Sequence, residues 1–563
     1  MALRGCVGAS ALPSELIVHI FSFLSERDKL RASAVCTRWR ECLFYPALWS
    51  ELKLRFGTGI GSGSGQGSGS GPEQQQQEEE DSARLEFLMR RFGSFVRELQ
   101  LEFGPLDSCG GEPQSHERWR TATLTYLQHV LCVLSNLRNN RNLQKLSVYG
   151  DTFVLQDDVL QDGSYLSQVD RGGKKLKEIQ QLFEDFLSNS RQLKWLSCSF
   201  MPAVLTPRSL SSLSNPSAET LQHLSLLDHQ ISGLLPSSEL QRLSNLRSLS
   251  IDYCDFSSSM CELLADTNRA PLLRLSLLLN GAALEARSLD CVASDSDLKA
   301  LTRRNADLRV FLMALDVCDD VLESVLKPSL PLERIHVDSY NAPLGDTVLE
   351  RVSLQYHKTL MHFVLTRDDG RFPDLSGNRN EDPLVLLAWR CVHLSVLIIH
   401  GYTVWSHNLV AISRLRGSSL RVLDVSEESI DFDPDQALFS KGDPVQTLVK
   451  EVSQGLGRVW HPSIAMENSA VVSDPTLHFH REMQSFSENS RADVSRWAPS
   501  SSAEPKRGNP PSASHRPSRA AKNLRTITVS GDRNITMHRI ISYQLVPRQR
   551  SHAGKPCFYI SSV

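Results

Sequence analysis

Residues 221–251, "LQHLSLLDHQISGLLPSSELQRLSNLRSLSI", contain one pattern twice, L-x-x-L-x-L, opening at Leu221 and again at Leu246. In an extended segment successive side chains point to opposite faces, so the fourth and sixth positions of the unit face one way and the third, fifth and seventh the other. The inward leucines of a single unit cannot close a core. They need a second unit stacked beside them.

The chain supplies that stack. The same pattern, with apolar replacements, reads "LQKLSV" from Leu143, "LKWLSC" from Leu193, "LLRLSL" from Leu272, "LRVFLM" from Leu308, "LERIHV" from Leu332, "LMHFVL" from Leu360, "LSVLII" from Leu394 and "LRVLDV" from Leu420. "VRELQL" from Val96 is a candidate opening unit. The steps from Leu143 onward are 50, 28, 25, 26, 36, 24, 28, 34 and 26 residues. Most lie near the roughly 20–29-residue period of leucine-rich repeats, and the longer ones read as insertions or a missed unit. The expected fold is α/β: an irregular leucine-rich-repeat solenoid over residues 85–487, with a parallel sheet on one face and helices or loops on the other.

Helical returns between the units are legible. "KKLKEIQQLFEDFLSNS" puts Leu176, Ile179, Phe183 and Phe186 on one face before the unit at Leu193. Asp382 and Pro383 stand as N-cap and first helical residue before the unit at Leu394. "DPVQTLVKEVSQGLG" repeats the device with Asp443 and Pro444, an apolar face of Val445, Leu448, Val449 and Val452, and Gly457 at its stop, so this helix is expected to cap the array.

Composition excludes several classes. With 563 residues, 40% of them hydrophobic, the chain can bury a large core, and a formal net charge of −3 gives no overall field for nucleic acid or an anionic membrane. The start lacks a basic segment followed by an unbroken apolar run, and no apolar run approaches the ~18 residues of a membrane span, so a soluble protein of the cytoplasm and/or nucleus is expected. Twelve cysteines with no C-x-x-C pair fit neither zinc spacing nor a disulfide framework and read as reduced structural thiols. No metal and no cofactor are expected. Residues 57–84, with "GSGSGQGSGSGPEQQQQEEED" at 61–81, read as a flexible linker or loop. Residues 488–563 read as a disordered Ser/Pro/Arg-rich tail, 13 Lys/Arg against 3 Asp/Glu from Arg491 onward, in which two short strands near "RTITVSGDRNITMHRIISYQLV" are conceivable.

Residues 12–54, "LPSELIVHIFSFLSERDKLRASAVCTRWRECLFYPALWSELKL", concentrate apolar mass. A helix from Ser14 to Leu24 carries Leu16, Ile17, Ile20, Phe21 and Leu24; a second from about Asp28 would bury Leu30 and Ala34; a third aligns Val35, Trp39, Cys42 and Leu43. Three short helices cannot enclose all of these, and a partner surface is the expected remedy. The Leu-Pro opening, the Val-Cys-x-x-Trp centre and the Leu-Trp close resemble an F-box, placed at 8–56, and the stretches "NNRNLQKLSVYGD" and "SNSRQLKWLSC" extend the likeness to F-box proteins with leucine-rich-type repeats. The Gly/Ser/Gln insert and the tail past about Ser490 fall outside the likeness.

The resemblance implies a non-catalytic substrate receptor of a Skp–cullin–F-box ubiquitin ligase, whose partners are a Skp-family adaptor, a cullin and a RING subunit. Carried over as adaptor contacts are Leu12, Pro13, Ile17, Ile20, Phe21, Leu24, Val35, Trp39, Leu48 and Trp49, some of which must also serve as the small domain's own core. It further implies a Y-box cold-shock protein as substrate. The residues themselves agree on one point, since no nucleophile elbow, phosphate cradle or paired Cys/His spacing is present, and any contribution to catalysis is positional. The outward strand positions bear Lys145, Trp195, His223, Arg274, Arg334, His336, His362 and His400, a basic and aromatic set suited to an acidic or phosphorylated segment, or simply to solvent. Two alternatives from other classes stay open: a non-degradative scaffold or inhibitor, and nucleic-acid binding by the basic tail. The terminal "SSV" also suits a PDZ groove.

Overall fold

The computed structural model describes residues 12–489 apart from 57–71, 104–113, 151–169, 171, 202–203, 228–232, 285–288, 290, 340–342, 368–371, 376–381, 433–442 and 464–476. The tail from 490 on, with its two conceivable strands and "SSV", and residues 8–11 and 61–71 lie outside the described residues.

Three short helices come first, α1 (Ser14–Ser22), α2 (Glu26–Ser33) and α3 (Thr37–Cys42). Ser25 caps α2 by accepting from the Asp28 amide. Among the described residues, twelve strands then form one sheet in strict chain order: β1 (Glu51–Phe56), β2 (Glu98–Phe103), β3 (Lys145–Tyr149), β4 (Trp195–Ser199), β5 (His223–Leu227), β6 (Ser248–Asp252), β7 (Arg274–Asn280), β8 (Arg309–Leu315), β9 (Leu332–Ser339), β10 (His362–Arg367), β11 (Val396–Ile399) and β12 (Val422–Val425). All neighbours pair parallel.

Each of the ten expected units from Leu143 onward carries a strand, β3 to β12, and the unit at Val96 carries β2. The registers explain the period. Leu146, Leu196, Leu224, Leu249 and Leu275 are cross-strand partners in succession, all fully buried, so each unit's fourth-position leucine stacks on the next. Each such burial is worth about 1.5–3 kcal/mol. The return helix Lys174–Asn189 buries Ile179, Phe183 and Phe186 against this layer, Asp382 caps the helix Pro383–Arg390 through the Leu384 and Val385 amides, and Pro444–Leu456 ends at the left-handed Gly457.

Three expectations need correction. The array begins one unit early, at β1, because "LWSELKL" serves both as the close of the helical domain and as a strand paired with β2. The second half of the 57–84 linker is helix, since α4 runs Pro72–Phe92. Glu and Gln are good helix formers, and Leu85, Leu88, Met89 and Phe92 bury one face of its C-terminal half. In α2 the buried residues are Lys29 and Ser33, while Leu30 is half-buried and Ala34 exposed.

Candidate docking and recognition surfaces

The helical domain divides its apolar residues sharply between inside and outside. Trp49 is fully buried, stacked on Phe92 of α4, with its indole N–H donating to the Leu43 carbonyl at 2.6 Å. The Lys29 ammonium lies 5.4 Å over the Trp49 ring and donates to the Leu48 carbonyl at 3.2 Å. Burial pushes its pKa down. Ile17, Phe21 and Leu48 are buried with Trp49, so these four of the expected adaptor contacts are core of the chain itself. Leu12, Leu24 and Trp39 are half-buried; Pro13, Ile20 and Val35 are exposed.

On the outer face of α1 two exposed apolar residues, Leu16 and Phe23, were missed as contacts. Leu16 (49% exposed), Ile20 (46%) and Phe23 (77%) recur at i, i+4 and i+7 along α1 and its C-cap, the spacing of one helix face, while Val35 (69%) stands between α2 and α3. The signal was present: the apolar residues of α1 exceed one stripe, and the surplus residues are those on the outer side. Part of the covering expected from a partner comes instead from α4, through Phe92.

From β3 to β9 the outward strand face is covered as well. A helix from far along the chain, Leu477–Ser487, followed by Glu488 and Asn489, lies across β3 to β9. Phe479, Met483 and Phe486 are fully buried in a cluster with Tyr149, Phe200, Leu227, Leu278, Phe311, Met313 and Leu315, and Phe486 meets Phe311 edge-on at 4.8 Å. The Tyr149 hydroxyl donates to the His480 carbonyl at 2.9 Å.

The candidate recognition residues sort by this cover. Lys145, Trp195 and His223 form a ladder: the ammonium 4.7 Å from the Trp195 centroid, the imidazole stacked on the indole at 3.7 Å. At its end the Glu488 carboxylate accepts from the Ser147 hydroxyl, with the Lys145 ammonium at 3.8 Å. The Arg274 guanidinium donates to the Asn489 carbonyl at 2.6 Å. Arg334 is buried over the Phe311 ring with Glu333 at 3.5 Å, and it lines, with Arg274 and Arg309, a cavity of about 320 Å³ beside Asn489. His336, two residues further along the same strand, is buried opposite Met313. His362 is half-buried, its pKa pushed down to about 3 by burial and by Arg334 and Arg421. His400 stands apart, 3.4 Å from Asp424 on β12.

Sequence reasoning missed the cover and the serines beneath it. Ser147, Ser197, Ser225, Ser250 and Ser276 occupy one register row on β3 to β7, and all are buried. The same small residue at the fifth position of five successive units was the available signal that something packs closely there.

Residues 9–55 match the F-box-like family. Human (Homo sapiens) F-box only protein 33 is 52% identical over 515 residues, covering 87% of this chain and 89% of the relative. The chain belongs to the F-box only protein 33 family. Mouse (Mus musculus) F-box/LRR-repeat protein 21 is 24% identical over 468 residues, 82% of this chain and 91% of the relative. The solved structure "Crystal structure of Rad7 and Elc1 complex in yeast" aligns with 74% of this chain and 89% of its own at a TM-score of 0.36 and 18% identity. Among the described residues no helix is long and apolar enough to cross a membrane.

Proposed function

We propose that this protein is the substrate-recognition subunit of a Skp–cullin–F-box ubiquitin ligase, non-catalytic itself, working in the cytoplasm and/or nucleus. The observation that carries the reading is the unpartnered outer face of the F-box helices, where Leu16, Ile20, Phe23 and Val35 remain exposed although their neighbours are fully packed. A Skp-family adaptor covers that face, and the adaptor links the chain to a cullin and, through it, a RING subunit with its charged conjugating enzyme. Because β1 continues directly from the F-box, whatever the sheet holds keeps a fixed relation to the docking helices. The reaction gains by proximity: a tethered substrate lysine sees the conjugating enzyme at an effective concentration on the order of millimolar. Family likeness supports a Y-box cold-shock protein among the substrates delivered to the proteasome.

The test is adaptor capture by the full chain carrying Ile20→Asp and Phe23→Asp together. Both side chains are exposed, so melting stays within about 0.5 kcal/mol of the parent, while adaptor and cullin recovery and substrate ubiquitination are lost. Unchanged adaptor recovery by a folded variant would overturn the proposal.

A further inference from the structure

We propose that the sheet face beneath Leu477–Asn489 is a peptide-binding groove, that this segment is its built-in pseudoligand, and that the groove captures from a partner an amphipathic helical peptide ending in an acidic residue followed by asparagine. The fate of the captured peptide rests on the ligase reading; the capture itself does not.

Three observations converge. First, the apolar cluster holding Phe479, Met483 and Phe486 is separate from the main core, which lies on the other face of the sheet. Lifting the segment leaves the leucine layer of β3 to β7 untouched and uncovers an apolar shelf that includes Tyr149, Phe311 and Met313. An exposed shelf of that kind marks a binding surface.

Second, the segment's end is held by groups that discriminate. The Glu488 carboxylate accepts a hydrogen bond from the Ser147 hydroxyl and sits by the Lys145 ammonium at 3.8 Å, with the Trp195 indole and Ser197 hydroxyl facing it. The Asn489 side chain donates to the Leu249 carbonyl at 3.2 Å and to the Ser250 hydroxyl at 2.8 Å and accepts from Ser276. Arg274 closes the end on the Asn489 carbonyl. Packing alone does not call for such a set, because apolar residues of similar volume in place of a buried charged pair are often as stabilising. A carboxylate followed by an amide is a two-residue address.

Third, the serine row keeps the floor low. Five small side chains in register let a helix backbone come close to the strands, and three of them, Ser147, Ser250 and Ser276, make the contacts to Glu488 and Asn489.

Being tethered, the segment competes at an effective concentration far above that of a free ligand. It therefore raises the apparent dissociation constant of any partner by the inverse of the open fraction. Weakening the segment opens the groove.

The experiment uses a fluorescein-labelled synthetic peptide of residues 476–491, "TLHFHREMQSFSENSR", titrated against three full-length proteins: the parent, Met483→Asp, and the double variant Glu488→Ala with Asn489→Ala. Circular dichroism and adaptor capture are recorded on the same samples. Expected is at least tenfold tighter peptide binding to both variants than to the parent. The peptide with Lys in place of Glu488 binds tenfold more weakly, and adding Lys145→Glu to the receptor reverses that preference. Equal affinity for all three proteins overturns the proposal, as does no saturable binding to a folded variant. Loss of folding in both variants also overturns it, because the segment would then be part of the core. Peptide binding without adaptor capture would sink the ligase reading and leave the groove standing; the reverse would do the opposite.

Discussion

The indole of Trp49 lies on the ring of Phe92 with centroids 4.3 Å apart and planes 9° from parallel. One residue closes the helical domain and the other ends α4, so this contact fastens the docking helices to the helix leading into β2. Trp49→Ala removes the stack, the hydrogen bond to Leu43 and the ring beneath the Lys29 ammonium. The expected cost is about 3–5 kcal/mol, read as a lower urea midpoint with reduced adaptor capture. Phe23→Ala, at an exposed position, reduces adaptor capture with the midpoint unchanged.

Asp382 ties two return helices together. One carboxylate oxygen accepts from the Leu384 and Val385 amides at 2.8 and 3.0 Å, and the other accepts from the Asn408 side chain at 2.6 Å. Asp382→Ala loses a cap worth about 1 kcal/mol and strands a buried amide at a cost of about 1–3 kcal/mol. The sum is about 2–4 kcal/mol by chemical denaturation, and Asp382→Asn recovers part of it.

Gly150 sits where β3 passes β4. Its N–H donates to the Ser199 carbonyl at 2.8 Å, and a Cβ built on it would lie 1.8 Å from the Phe200 carbonyl oxygen. Gly150→Ala therefore forces the backbone apart at a cost of about 1–3 kcal/mol or more. Tyr149 and Phe200 belong to the shelf under the cover, so amide hydrogen exchange over 477–489 rises as well.

The repeats were legible because period-two alternation makes each strand and the Leu-x-x-Leu-x-Leu spacing aligns it with its neighbour, except in the unit from Leu308, whose fourth and sixth residues, Phe311 and Met313, face the cover while Val310, Leu312 and Ala314 join the main core. The helix from Lys174 and the caps at Asp382 and Asp443 followed from equally local signals. What escaped was set by distance along the chain. Lys145 and Glu488 are 343 positions apart, and no periodicity links the third position of a unit to a helix that follows the array. Sequence pattern gathers the apolar F-box residues but does not sort core from surface, since Phe21 and Phe23 differ only in the face they occupy. That face is fixed by Trp39, which meets the Phe21 ring edge-on at 5.5 Å.

Two histidines shielded from water, the half-buried His362 and the buried His223, set the acid response. Burial and then Arg334 and Arg421 hold His362 down at about 3, and burial with Lys145 and Arg274 holds His223 well below its ordinary 6.5. Unfolded, both take up protons near pH 6.5; folded, they refuse them, so the unfolded state binds more protons and stability falls as pH drops from 6.5 toward 3. Glu488 acts in the opposite sense. Burial raises its pKa above the ordinary 4.5, the folded state holds the extra proton, and its contribution is lost as pH rises from 4.5 through the raised value. The two histidines lower the parent's denaturation midpoint as pH falls below 6.5, and Glu488, Asp319 and Asp382, all raised by burial, oppose them at lower pH. His362→Gln flattens that decline by about 1 kcal/mol per pH unit, and Glu488→Gln steepens it. A midpoint series from pH 7.5 to 4 in which His362→Gln runs parallel to the parent would show that this imidazole is not kept neutral in the folded chain.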